Sequence, residues 1–113
     1  MKRFDIILAN LDPRKWHVQS GNRPCLIVSS DIFNKYAPTL VVIPFTSTIR
    51  KVFPSECIIE PSHTNGLAQQ SRLLGSQIIT LDKNFFWEKL WVLDSCYHIE
   101  IENILKLVLD LKS

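Results

Sequence analysis

The chain has 113 residues, with 13 Lys or Arg, 11 Asp or Glu and a net charge of +2 at neutral pH. That length fits one domain over residues 1–113, enough chain to bury a core without disulfides or metal. Hydrophobic residues make up 46 %, which excludes a largely disordered chain, and the slight basic excess permits a nucleic-acid partner without demanding one.

"FDIILANL" (4–11) predicts a first strand, stopped by Asp12-Pro13. Its apolar run is too short for a secretory signal and is interrupted by Asp5 and Asn10, and no run in the chain has membrane-spanning length. The expectation is a cytoplasmic protein with no membrane partner. Residues 12–23 read as a long polar loop, and "PCLIVSS" (24–30) as a second strand buried on both faces. Arg23 then stands at the end of a loop, anchored by Pro24 and the apolar run behind it. Ser30 or Asp31 caps a short helix that Pro38 closes.

"TLVVIPFT" (39–46) predicts a third strand, with Pro44 marking an edge or a bulge because it cannot donate to a ladder. A second polar loop, "STIRKVFP", leads to a fourth strand at 55–60. Asn65-Gly66 supplies turn chemistry with positive φ. Residues 71–81 read as one strand with a bulge or kink at Gly75, and 82–93 as one helical turn followed by a last strand. Residues 98–111 predict a helix: Ile101, Ile104, Leu105 and Val108 recur at helical spacing. Ile99, Leu107, Leu109 and Leu111 widen the apolar face enough to serve a partner as well as the core. Short strands with one terminal helix point to a mainly β protein, a strongly bent antiparallel sheet or partial barrel.

The three cysteines show no CxxC and no paired zinc-ligand spacing, so metal and disulfide frameworks are not expected and a reducing compartment fits. P-loop, GxGxxG, GxSxG and HExxH signatures are absent. The two polar loops offer His17, Gln19, Ser20, Arg23, Thr46, Ser47 and Thr48: an imidazole, a guanidinium and hydroxyls with few carboxylates. Such a set suits an anion, phosphate above all. Arg14, Lys15, Arg50 and Lys51 add positive charge beside them. Trp16 either stacks on an unpaired base or pins its loop to the barrel. Phe85, Phe86, Trp87 and Trp91 read as core or dimer packing.

"GNRPCLIVSSDIFNK" followed by "VVIPFTS", with "GL" at 66–67, Ser71 and "SQIITLDK" at 76–83, resembles the MazF/PemK ribonuclease toxins in motif order over essentially the whole chain. The resemblance implies a small SH3-like barrel of the CcdB/PemK type with a C-terminal helix, usually a homodimer. It implies cleavage of single-stranded RNA at short sequences without metal or cofactor, by 2′-OH attack to give a 2′,3′-cyclic phosphate and a 5′-OH. The implied partner is an antitoxin with a disordered acidic tail, through which alone the toxin meets operator DNA. Carried over residue by residue, Arg23 and Thr46 become catalytic groups on the phosphate. His17 is the natural acid-base group, since its reference pKa is ~6.5. Lys15, Trp16, Gln19, Ser20, Ser47 and Gln77 become RNA contacts. The chain departs from the pattern at Val18, where relatives often carry a glutamate, and at Ser76 and Ile79, where "DQIRT" carries an aspartate and an arginine. Two same-fold alternatives follow: a CcdB-like gyrase inhibitor, whose tryptophan-containing tail the "LDLKS" ending lacks, and a catalytically weakened antitoxin-binding homologue.

Overall fold

The computed structural model describes residues 1–11 and 21–112, with the backbone alone for 11, 21 and 85–90. Among the described residues, seven strands run in the order β1 (Asp5–Leu11), β2 (Gly21–Ile27), β3 (Thr39–Thr46), β4 (Glu56–Ile59), β5 (Ser71–Leu74), β6 (Ile79–Asp82) and β7 (Phe86–Val92). Helix α1 (Asp31–Tyr36) joins β2 to β3, and α2 (His98–Leu109) follows β7. All pairings are antiparallel, in the spatial order β4-β5-β3-β2-β1-β7, with β6 also paired to β3. The sheet therefore curls into a half-barrel closed by α2, the small barrel with a C-terminal helix that the sequence implies.

The long apolar runs are explained by burial on both faces. Ile6, Leu26, Ile43, Phe45 and Leu73 face one core, where Ile101, Ile104 and Leu105 of α2 pack. Their neighbours Ile7, Cys25, Ile27, Val42 and Leu81 face a second cluster, as the period-two alternation of strands requires. On α2, Val108 also packs against the first core, while Ile99, Leu107 and Leu109 are exposed, as is Leu111 just beyond the helix end. Ser30 is the residue that caps α1: its hydroxyl accepts from Phe33 N–H at 3.2 Å.

Four local readings change. β2 begins at Gly21, so Arg23 sits within a strand rather than at a loop end. Pro44 lies on central β3, opposite Cys25 of β2. On its other flank β3 changes partner, from β6 (last pair Val42↔Ile79) to β5 (first pair Phe45↔Leu73), so the missing donor falls at a changeover. The span 71–81 is two strands, β5 and β6, separated by a turn. Gly75 opens that turn because a Cβ there would lie 2.1 Å from the Ser55 carbonyl oxygen and 2.4 Å from Ile104 Cγ2. Gly66 has the positive φ of its turn, 65°. Residues 83–85 form the single 3₁₀ turn before β7.

Candidate functional site

Arg23 and Thr46 are brought together by strand register. Cys25 pairs with Pro44, and continuing that antiparallel register by two residues sets Arg23 opposite Thr46 on one face. Both side chains are largely buried, 5 % and 7 % exposed, and both line one pocket of about 160 Å³ at the rim of the sheet. Among the described residues that line it there is no carboxylate. The pocket is smaller than those that enclose a drug-sized molecule.

The chemistry of the two residues is complementary. Thr46 Oγ1 accepts from Thr48 N–H at 3.3 Å, which leaves its own proton to donate. Burial pushes the Arg23 guanidinium down from its ordinary value, while Cys25 nearby acts in the opposite sense. Burial also pushes the Cys25 thiol up to about 12, so at neutral pH it is an uncharged core group that bonds the Arg23 carbonyl at 3.5 Å. Arg23 is thus a largely buried cation at the pocket wall, where charge interactions are screened less than at a fully solvated arginine.

Of the other expected site residues, Ser47 is exposed and lines the same pocket. Gln77 lies on the β5–β6 connection, half-buried, and is not among the pocket residues. Lys15, Trp16, His17, Gln19 and Ser20 lie outside the described residues, as does Val18. Ile79 packs against the second core cluster, which accounts for an apolar residue there. Trp91 is 51 % exposed and its ring crosses Gly66; the side chains of Phe85, Phe86 and Trp87 are outside the description. No group of three or more His, Cys, Asp or Glu that can hold a metal occurs among the described residues.

Three features were not singled out from the sequence. Asn22 and Gln69 are exposed carboxamides on the pocket rim. Asn65, read only as a turn residue, is fully buried. Its amide donates to Glu60 O and Asp94 Oδ1, each at 2.8 Å, and its oxygen accepts from Ser62 and Leu67 N–H at 3.1 and 3.0 Å. These bonds fix the loop that carries Leu67 and Gln69 to the pocket. Arg72 on β5 pairs with Thr46 in register. It is 4 % exposed, forms an ion pair with Glu56 at 3.7 Å, and its Nε and Nη1 find no hydrogen-bond partner among the described residues. A buried arginine inside a strand run carries no local sequence signal, since only the β4–β5 register brings Glu56 beside it.

A curled antiparallel sheet with a helix over one core, and a rim pocket lined by Arg23 and Thr46, defines a small half-barrel protein. The chain belongs to the PemK-like, MazF-like toxin family of type II toxin-antitoxin systems, whose family model matches residues 2–109. It is 39 % identical to an endoribonuclease MazF of Staphylococcus saprophyticus over 112 residues, covering 98 % of this chain and 92 % of that protein. It is 38 % identical over 114 residues to an endoribonuclease MazF of Staphylococcus epidermidis, covering 100 % and 94 %. The fold matches a mycobacterial endoribonuclease solved in complex with its cognate antitoxin, with a TM-score of 0.82, 23 % identity and coverage of 100 % and 98 %. It also matches MazF of Deinococcus radiodurans, with a TM-score of 0.79, 24 % identity and coverage of 97 % and 96 %.

Proposed function

We propose that this protein is the toxin of a toxin-antitoxin pair and that it cleaves single-stranded RNA at a short sequence in the cytoplasm. The observation that carries the reading is the placement of Arg23 beside Thr46 in a rim pocket whose described lining residues include no carboxylate. In the reaction, the ribose 2′-oxygen attacks phosphorus and gives up its proton to a base. The P–O5′ bond breaks, and an acid returns a proton to the leaving 5′-oxygen. The products are a 2′,3′-cyclic phosphate and a 5′-OH, with no metal or cofactor taking part.

Arg23 and Thr46 donate to the phosphoryl oxygens, whose negative charge grows in the transition state. His17 exchanges the protons, because its ordinary pKa of ~6.5 lets it accept and return one near neutrality. Lowering of the Arg23 pKa by burial runs in the direction that lets a guanidinium share in proton transfer, but an arginine stays charged at neutral pH. Lys15, Trp16, Gln19, Ser20, Ser47 and Gln77 are the RNA contacts. The partners are an antitoxin whose acidic tail competes with RNA for the same rim, and a second copy of the chain, supported by the exposed Ile99, Leu107 and Leu109 on α2.

The test is to incubate the purified protein with a long RNA in EDTA and map the new 5′ ends. Cuts after or before one short motif are expected, with 5′-OH termini. Arg23→Ala and Thr46→Ala should abolish them while circular dichroism stays unchanged. Full cleavage by both variants, or a strict need for added metal, would refute the site and the chemistry.

A further inference from the structure

The pocket contains more than a phosphate clamp needs. Strand alternation sets Arg23 and Thr46 on one face of the sheet and Asn22, Pro24, Phe45, Ser47 and Ser71 on the other. The pocket nevertheless collects all of them, because it lies at the rim where the strands end. Its walls divide by chemistry. Half-buried Pro24 gives it apolar surface, with Leu67, 7 % exposed, and the core residue Phe45 also in its lining. Asn22 and Gln69 stand exposed at its edge. The Ser71 hydroxyl is turned onto Gln69 O at 2.9 Å, which fixes the backbone beneath the Gln69 side chain. An apolar slot edged by carboxamides, next to a phosphate clamp, has the character of a nucleobase site: a flat π-face needs apolar contact, and its edge needs paired donors and acceptors.

We propose that Asn22 and Gln69 are specificity-determining residues: they hydrogen-bond the edge of one unpaired base flanking the scissile phosphate, and so set one position of the cleavage sequence. The inference rests on the ribonuclease reading above. A nucleotide straddles the rim, with its phosphate against Arg23 and Thr46 and its base in the slot. The Asn65 hydrogen bonds brace the loop that leads to Gln69 before RNA arrives, so the reader is preorganised rather than ordered on binding.

The experiment uses the intact protein and RNA oligonucleotides carrying one mapped cut, with each of the four bases placed in turn at the positions flanking it. The readout is the ratio of cleavage rates between the best and worst base at each position. Asn22→Ala and Gln69→Ala should collapse that ratio at one and the same position by roughly 5- to 150-fold, the range of one well-made carboxamide–base pair. Other positions should keep their ratios. Gln69→Glu turns the carboxamide into an acceptor alone, so it should move preference at that position toward bases bearing an exocyclic amino group. Gln70→Ala is the control, since the Gln70 amide is bound to the Glu60 carboxylate, and it should change no ratio. Unchanged ratios in both alanine variants, or equal losses at every position, would overturn the inference and leave the ribonuclease reading intact. Absence of any Arg23-dependent cleavage by the unmodified protein would overturn both.

Discussion

Replacing Glu56 by Gln removes one charge from a pair whose side chains are 5 % and 7 % exposed and 3.7 Å apart, and leaves the Arg72 guanidinium in the sheet. The change keeps an oxygen to accept the Phe53 N–H, 3.2 Å from Glu56 Oε1, so it isolates the charge. Two unit charges at that distance interact by about 4 kcal/mol at an effective dielectric of 20, and breaking a buried pair costs about 3–5 kcal/mol. The 3.7 Å separation is longer than a good hydrogen bond, which favours the lower end, ~3 kcal/mol. Unfolding entropy of about 0.24 kcal/mol/K for 113 residues converts this to a fall in Tm of roughly 12 °C. Thermal unfolding by circular dichroism and urea titration measure it, at low and high salt, since a buried pair is screened little. Adding Arg72→Met to Glu56→Gln should recover most of the loss, because an apolar replacement of a buried pair is often neutral. A loss under about 1 kcal/mol, the size of a surface ion pair, or a strong salt dependence would refute the argument.

Gly75→Ala should destabilise more than Gly66→Ala. At Gly75 the new Cβ meets the Ser55 carbonyl and Ile104, neither free to withdraw, for about 3 kcal/mol; at Gly66 the obstacle is the half-exposed Trp91 ring, so the cost is chiefly the φ penalty of about 1–2 kcal/mol. Urea midpoints in the reverse order would contradict this. Burial raises the Asp94 carboxyl, but hydrogen bonds from Ser62, Asn65, its own backbone and Thr64 outweigh it and hold the pKa below the ordinary value. A folded pKa below the unfolded one stabilises above the unfolded value, ~3.9, and that contribution is lost as pH falls toward the folded pKa. The Tm gap between the unmodified protein and Asp94→Asn should therefore narrow from pH 7 to pH 3, and a gap independent of pH would refute the assignment. Cys25 and Cys57 are buried with thiols pushed up to about 12, whereas Cys96 is exposed; mass spectrometry after brief alkylation should show one adduct on native protein and three after unfolding. Three adducts on native protein would show that the core opens far more readily than its packing implies.

Most of the fold was legible because its signals are local. "FDIILANL", "PCLIV" and "TLVVIPFT" announce strands by β-branched content, and α2 by the spacing of Ile101, Ile104 and Leu105. The misreadings occur where the deciding partner is distant in sequence. Gly75 looked like a strand defect, and only packing against Ser55 and Ile104 gives it a reason. Pro44 looked like an edge marker because a single sequence does not reveal that β3 has two successive neighbours on one side. The span 71–81 was apolar enough to pass as one strand, and its division follows from β5 serving β3 and β4 while β6 returns to β3.

The candidate site divides along the same line. Arg23 and Thr46 are legible because each adjoins a strong strand run with a polar group the core does not need, within the "GNRP" and "PFTS" motifs. Asn22 sits beside Arg23 in sequence, yet it gains meaning only because the loop holding Gln69 reaches the same pocket. That placement depends on Asn65, whose four hydrogen bonds tie residues 60, 62, 67 and 94 together. Substituting Asn65 should therefore act on the slot without touching RNA. Asn65→Asp removes the two amide donations but keeps the acceptor, and sets a second carboxylate against Asp94. The Gln69 loop then loses its anchor to residue 94, and base discrimination should fall before Arg23-dependent cleavage does. If both fell in parallel with stability, Asn65 would be an ordinary support of the fold, and the slot would owe its shape to something other than this loop.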